Sequence, residues 1–103
     1  MAFNNTKERY ASFGVATSLP HEIIDIFWEL LDYYLKDVFP LDNTLTFQLV
    51  KHSGKLSFVY QDKKRQLAIV FDYDTSYDPF YPETVNIVDN HGIETLILPH
   101  ELI

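Results

Sequence analysis

The chain has 103 residues, of which 47% are hydrophobic and 16% aromatic, with no cysteine and a formal net charge of −7 at pH 7. This length allows one domain, the apolar content excludes an intrinsically disordered chain, and the lack of cysteine excludes disulfides and thiolate metal sites. Residues 66–103 carry seven acidic residues and no Lys or Arg, so they hold the whole charge imbalance. Because phosphate contacts need Lys and Arg, this distribution disfavours direct nucleic-acid binding.

The polar segment 1–8 is predicted to be frayed, which leaves residues 9–103 as a single domain. It lacks the apolar stretch of a signal peptide, and no apolar run in the chain reaches the roughly 20 residues that cross a bilayer. We therefore expect a cytoplasmic protein without membrane association. From Arg9 to Thr17 the pattern predicts a strand, in which Gly14 marks a bulge or a close approach of another backbone.

One amphipathic helix is predicted over residues 19–36. Ser18 is a suitable N-cap, Pro20 is tolerated in the first turn, and Pro40 makes continuation unfavourable. The apolar face that should pack on a core contains Ile23, Ile24, Phe27, Trp28, Leu30, Leu31, Tyr34 and Leu35. The opposite face is acidic, and we interpret it as solvated; it contains Glu22, Asp25, Glu29 and Asp32.

Downstream of Pro40 the apolar spacing changes from 3.6 to 2, which is typical of strands. Five runs are predicted as strands: 44–49, 55–61, 66–71, 84–88 and 93–98. The run 66–71 is apolar on both faces, which is typical of a central strand. The fold class is therefore α+β, with one amphipathic helix packed on a largely antiparallel sheet of five to six strands in the order β-α-β-β-β-β-β.

The dimensions of this fold raise the question of what covers the sheet, because one helix is narrower than six strands. Six strands at about 4.8 Å spacing make a sheet ~25 Å wide, whereas one helix with its side chains covers only about 10–12 Å. Three arrangements remain open: the sheet curls around the helix, loops cover the remainder, or another molecule does. The third arrangement would make the protein a dimer or a binding module.

Segment 72–83 is the candidate binding site, since it holds four aromatic residues, four carboxylates and two prolines. Prolines lower the entropy lost on binding, and Tyr and Phe supply large contact areas. We interpret it as an acidic and aromatic patch that contacts a protein partner with a basic surface; the alternative is a long connection held to the domain by its aromatic side chains. The candidate partner-binding residues are Asp72, Tyr73, Asp74, Tyr77, Asp78, Phe80, Tyr81 and Glu83.

No catalytic residue, metal site or cofactor is predicted. An EF-hand calcium loop starting at Asp72 would need glycine at its sixth position, where Tyr77 stands. His21 and Asp25 have the i, i+4 spacing that can hold a metal, but any solvated acidic helix face shows the same pattern. With three glycines, the chain contains neither a dinucleotide-binding glycine motif nor a P-loop, and no nucleophile motif is present.

Several short motifs spread over nearly the full length carry a family resemblance. They are residues 9–14 (RYASFG), 18–20 (SLP), Trp28, 39–41 (FPL), 45–47 (LTF) and 97–99 (ILP). With them the chain resembles the domain-of-unknown-function 960 family, small uncharacterised proteins of Gram-positive bacteria. The resemblance implies a bacterial cytoplasmic setting and genes carried on mobile elements or phages. It implies no activity, substrate or catalytic residue.

The sequence thus favours a non-catalytic protein-interaction module over an enzyme. A sharper hypothesis is a phage or mobile-element protein that masks a basic nucleic-acid-binding surface by imitating phosphate charge. Two alternatives stay open. One is a small ligand-binding protein or enzyme with a pocket between helix and sheet, and the other is a homodimer that uses an uncovered sheet face or edge.

Overall fold

The computed structural model describes residues 2–102. Strand β1 (Glu8–Ala11) precedes helices α1 (Phe13–Ser18) and α2 (His21–Leu30), and α2 continues into a π-helical turn, Leu31–Leu35. Five strands follow: β2 (Thr44–His52), β3 (Lys55–Asp62), β4 (Leu67–Ser76), β5 (Thr84–Asn90) and β6 (Ile93–Ile97). A 3₁₀ turn, Pro99–Glu101, comes last.

The six strands form one sheet in the order β1-β6-β5-β2-β3-β4. Strand β1 runs parallel to β6, and every other neighbouring pair is antiparallel. The predicted α+β class is therefore confirmed. The two edges of the sheet are β1, the shortest strand, and β4, which has 10 residues.

The core lies between the helices and one face of the sheet, here called the inner face. Phe27 of α2 contacts Phe47 of β2 and Phe58 of β3 edge-on, with ring centroids 5.4 and 5.1 Å apart. All three side chains are 0% exposed, so the space between helix and sheet is filled at its centre. Offset and edge-on aromatic pairs add to the free energy that burial alone supplies.

The prediction of a strand over Arg9–Thr17 is wrong beyond Ala11, because Phe13–Ser18 forms a helix. Ser12 starts it: its Oγ accepts a hydrogen bond from the Val15 amide at 3.2 Å. The long helix begins at His21 with Pro20 as its N-cap, so Ser18 does not cap it. The second helix also bears on the coverage of the sheet, since α1 packs on β1 and β6 while α2 lies on β2 and β3.

The prediction of a central strand at 66–71 is also wrong, because β4 is an edge strand. Its inner face is apolar because helix residues pack on it, for example Tyr34 on Phe71 with centroids 5.4 Å apart. On the other face, here called the outer face, Val70 is 57% exposed. Apolar residues on both faces therefore reflect a covered inner face and an exposed outer one.

The segment predicted to be frayed contains a core residue. Phe3 is 1% exposed, and its backbone N–H donates to Asp89 Oδ2 at 2.8 Å. The Lys7 amide donates to the carbonyl of Gly92 at 2.8 Å. These contacts attach residues before β1 to the turn between β5 and β6.

Candidate functional site

The residues of the candidate segment 72–83 lie on both faces of strand β4 and in the turn that follows it. Strand β4 extends to Ser76, so Asp72, Tyr73 and Asp74 are strand residues and not loop residues. Register and burial place Asp72 and Asp74 on the outer face and Tyr73 on the inner face. The eight candidate residues therefore do not form one continuous patch.

Both outer-face carboxylates already have partners. Ser57 Oγ donates a hydrogen bond to Asp72 Oδ1, and His52 Nδ1 lies 3.6 Å from the same oxygen. Lys55 Nζ lies 3.0 Å from Asp74 Oδ1. Asp72 is thus tied to β2 and β3, although its side chain is 63% exposed. The side chain of Asp74 is 93% exposed, so its ion pair is in contact with solvent and contributes little.

The three tyrosines of the segment, Tyr73, Tyr77 and Tyr81, pack against the core. Tyr73 contacts Phe58 edge-on at 5.4 Å, and its hydroxyl donates to Glu29 Oε2 at 2.6 Å. Burial, followed by that hydrogen bond, raises the pKa of Tyr73 far above its ordinary value. These tyrosines match the alternative interpretation, in which aromatic side chains hold the connection to the domain.

Phe80 differs from them, since it is 91% exposed. Asp78 fixes the turn that displays it: Asp78 Oδ1 accepts from the Phe80 amide at 2.9 Å, and the Asp78 carbonyl accepts from the Tyr81 amide at 3.0 Å. Pro79 and Pro82 flank the aromatic pair and restrict the backbone further. A fixed turn therefore presents one large apolar side chain to solvent.

The acidic face of α2 lies beside this turn. Glu29 of that face accepts the hydrogen bond from Tyr73 at 2.6 Å, which joins α2 to the end of β4 just before the turn. Burial raises the pKa of Tyr81, and the charges of Asp78 and Glu22 raise it further. Glu22, Asp25 and Glu29 follow at i, i+3 and i+7, on one helix face. We call the set Glu22, Asp25, Asp78, Phe80 and Glu83 the acidic turn surface.

Sequence reasoning missed the helix contribution to this surface. Glu22 and Asp25 were interpreted as solvated, which agrees with their exposure. About fifty residues separate them from the turn in the chain, so only the tertiary fold brings them together. The available signal was the acidic helix face itself, which lies next to the acidic segment once α2 is laid on β3 and β4.

Ser57, Asp72 and His52 are the residue types of a hydrolytic triad, but their geometry differs from one. Both Ser57 and His52 contact the carboxylate of Asp72, whereas a triad needs histidine between serine and aspartate. Ser57 is also 1% exposed. The adjoining depression of about 340 Å³ is open to solvent, and among residues 2–102 no group of three or more His, Cys, Asp or Glu side chains could hold a metal ion.

The other depressions lie away from the helix–sheet interface. One of about 380 Å³ lies on the outer face and is polar, with Thr44, Thr46, Gln48 and Gln61 in its wall. Another of about 450 Å³ adjoins His91, Asp89 and Lys7. The first also contains Asp62, whose pKa the hydrogen bond from Arg65 lowers, and Tyr60, whose pKa burial raises. Neither depression places a histidine beside a serine or threonine hydroxyl, so they give no support to nucleophilic catalysis.

Comparison with known proteins finds matches that cover nearly the whole chain. The sequence profile of the family described as "Staphylococcal protein of unknown function (DUF960)" matches residues 8–101. The chain belongs to this family. A crystal structure of a protein of unknown function from Enterococcus faecalis superimposes on it with a TM-score of 0.91 at 35% sequence identity, covering 94% of this chain and 92% of that one. No curated protein matches.

In this DUF960 protein the motif at residues 9–14 serves the fold. Arg9 Nη1 donates to Asp32 Oδ2 at 2.8 Å and Arg9 Nε donates to Glu94 Oε1 at 2.9 Å, which ties β1 to the π-helical turn and to β6. Glu94 is 0% exposed, so Arg9 neutralises a buried carboxylate. The guanidinium also lies 4.8 Å from the centre of the half-buried Trp28 ring.

Gly14 lets the chain approach the C-terminal turn closely. A Cβ atom at this position would lie 2.8 Å from Leu98 Cδ1 and 3.0 Å from the Glu101 carboxyl carbon. These neighbours are side-chain atoms and Gly14 lies in a helix, so the predicted bulge or close approach of another backbone is wrong. Glu101 then accepts hydrogen bonds from Ser12 Oγ at 2.6 Å and the Gly14 amide at 3.2 Å, and these bonds lower its pKa.

No helix among residues 2–102 of this DUF960 chain has the length and apolar character needed to cross a membrane.

Proposed function

We propose that this DUF960 protein is a non-catalytic interaction module of the bacterial cytoplasm that binds a basic surface of another protein. The contact is the acidic turn surface. The observation that carries the proposal is Phe80, which is 91% exposed on a turn fixed by Asp78. The strand that leads into this turn contacts the acidic face of α2 through the hydrogen bond from Tyr73 to Glu29.

The arrangement suits protein recognition for two physical reasons. An aromatic side chain on a turn that is already ordered loses little entropy on binding, and aromatic residues are enriched at interface centres. Carboxylates around it would steer a positively charged partner into place and raise the association rate. Three tyrosines packed on the core hold the platform rigid beneath them.

The finer version of the proposal concerns what the partner does. The acidic residues of the last third lie partly on this surface, and spaced carboxylates resemble the charge of a nucleic-acid backbone. A phage or mobile-element protein of this kind would occupy the nucleic-acid-binding surface of a host protein. The net charge of −7 and the lack of Lys or Arg after Arg65 support this version.

Affinity capture with matched variants tests the proposal. Wild type, Phe80→Ala and Tyr33→Ala are immobilised and exposed to lysate of a Gram-positive host at low and moderate salt. Tyr33 is the control because it is 76% exposed and lies in the π-helical turn at the far end of the long helix. We expect a basic protein that wild type and Tyr33→Ala retain and Phe80→Ala loses, with weaker retention at moderate salt.

Identical protein patterns from all three baits would contradict the proposal. Competition then tests the finer version. Adding a double-stranded oligonucleotide should release the retained protein if its nucleic-acid-binding surface is the one in contact. Retention unchanged by saturating oligonucleotide would contradict masking while leaving a basic contact surface in place.

A further inference from the structure

Strand β4 leaves one sheet edge open. Within residues 2–102 it pairs with β3 alone, although it has 10 residues. The opposite edge, β1, has 4 residues. A long edge strand presents a row of unpaired backbone N–H and C=O groups, which is a template for another strand.

The two ends of this edge carry opposite charges. The turn that enters β4 contains Lys63, Lys64 and Arg65, whereas its second half contains Asp72 and Asp74. The strand residues between them, 67–71, are uncharged. An antiparallel copy of the same strand would place the basic turn of each chain beside the acidic half of the other.

The side-chain pattern agrees with such a pairing. Centred on Ile69, it sets Val70 opposite Ala68 of the second copy on the outer face and Phe71 opposite Leu67 on the inner face. Each residue keeps its face, as a continuous sheet requires. Val70 is 57% exposed, so the pairing would cover an apolar side chain that is in contact with water in the single chain.

Charges on an edge strand often serve to prevent pairing, and that is the competing explanation. Like charges along an edge repel a second copy, but opposite charges at the two ends attract one. Lys63 and Lys64 are also not engaged elsewhere, because none of the ion pairs among residues 2–102 includes them. Two cations are therefore available for contact between chains. Asp74 pairs with Lys55, but that ion pair is exposed and so contributes little, and Asp74 can exchange it for a pair with Lys64 of the second copy.

We propose that a second copy of this chain pairs antiparallel with β4, so that two six-stranded sheets become one continuous sheet. The contact comprises the strand edge, the apolar pair of Val70 and Ala68, and an ion pair of Lys64 with Asp74 at each end. It uses a surface other than the acidic turn surface and does not rest on the proposed function. A single strand pair buries less area than stable dimers usually do, so the dimer is weak and concentration-dependent.

Complementary charge variants give the sharpest test. Asp74→Lys homodimers would oppose lysine to lysine at both ends, and Lys64→Glu homodimers would oppose glutamate to aspartate. An equimolar mixture, however, forms heterodimers in which both ends carry opposite charges. We therefore expect each variant alone to sediment as one 12.1 kDa chain, and the mixture to regain twice that mass.

The wild type should move toward twice 12.1 kDa as concentration rises from micromolar to millimolar, and less so at high salt. Val70→Lys should be monomeric because it removes the apolar contact, and it leaves the charges at the two ends of β4 in place. Glu8→Lys on β1, at the opposite edge of the sheet, is the control with the same charge change and should dimerise as wild type does. Circular dichroism confirms that each variant is folded before its mass is compared.

Wild type that sediments as a single chain at millimolar concentration would overturn the proposal. Dimers of unchanged strength in both charge variants, or a mixture no heavier than its separate components, would overturn it as well.

Discussion

The Tyr73 hydroxyl donates a hydrogen bond to Glu29 Oε2 at 2.6 Å, and this contact joins the candidate segment to the long helix. The two residues are 44 positions apart in the chain. The bond makes the acidic helix face a neighbour of the acidic strand end and turn. Tyr73 therefore contributes to the position of the proposed contact surface without belonging to it.

Tyr73→Phe should remove this bond and lower the free energy of unfolding by roughly 1 kcal/mol, since Glu29 remains hydrated when its donor is lost. Urea denaturation measures the change. Tyr33→Phe, at an exposed tyrosine in the π-helical turn, is the matched control and should be neutral. Equal midpoints for wild type and Tyr73→Phe would show that the bond contributes nothing.

The raised pKa of Tyr73 makes a prediction about alkaline pH. The folded protein holds the phenol proton more tightly than the unfolded chain does, so the stabilisation is complete below the unfolded pKa near 10 and declines as pH rises above it. Wild type should therefore lose stability above about pH 10 more steeply than Tyr73→Phe. Parallel stability curves for the two proteins between neutral and strongly alkaline pH would contradict this.

Arg9→Met should be among the most destabilising single substitutions, because Glu94 would stay buried without its cation. Removing one partner of a buried ion pair typically costs about 3–5 kcal/mol. Thermal unfolding of Arg9→Met measures the loss, with the exposed Lys51→Met as control. A melting temperature close to wild type would mean that Thr6 and Lys36, which also approach Glu94, are sufficient for its carboxylate.

Low pH should weaken the ion pairs that Arg9 makes with Asp32 and Glu94. The hydrogen bonds from Arg9 hold the pKa of Asp32 below its ordinary value of 3.8. A carboxyl group whose pKa is lowered by folding contributes stability above its unfolded pKa, and this contribution disappears as pH falls through the folded pKa. Asp32→Asn should therefore flatten the loss of stability below about pH 4. A variant curve that falls as steeply as that of wild type would exclude Asp32 as a source of the acid sensitivity.

Gly14→Ala should destabilise the attachment of the C-terminal turn, because the new methyl group would lie 2.8 Å from Leu98 Cδ1. Overpacking typically costs about 1–3 kcal/mol, but the close atoms are ends of side chains that can move, and alanine regains up to roughly 1 kcal/mol of helix propensity. We therefore expect a net loss of about 1 kcal/mol, since moving the Glu101 carboxylate weakens the hydrogen bonds that it accepts. Chemical denaturation checks the value. Ala16→Ser, at an exposed site of the same helix, should change stability by less than about 0.5 kcal/mol. Gly14→Ala as stable as wild type would indicate that Leu98 and Glu101 move aside freely.

The long helix and most strands follow from sequence because their apolar residues recur at one clear period. Ile23, Phe27 and Leu30 are buried on α2, and β2 alternates buried and less buried residues as predicted. Helix α1 could not be found this way, since six residues contain too few turns to establish a period. The cap at Ser12 was the local signal for it, and the spacing of Tyr10, Phe13 and Val15 obscured that signal.

The sequence identifies the acidic and aromatic residue types of the candidate site, but it does not show which of these side chains share one surface. Alternation cannot show where β4 ends, so Asp72 and Asp74 were grouped with the turn although they lie on the outer face. Nor can local pattern separate the packed Tyr81 from the exposed Phe80, because both are aromatic neighbours between two prolines. Only the tertiary fold decides which of them faces the core.

The most direct measurement of the central claim is position-dependent crosslinking inside host cells. A photoreactive phenylalanine analogue replaces Phe80 in one sample and Tyr33 in another, and both are irradiated under identical conditions. The proposal predicts that position 80 forms a covalent adduct with a basic protein, whereas position 33 does not. No adduct at position 80, or the same adducts at both positions, would contradict it.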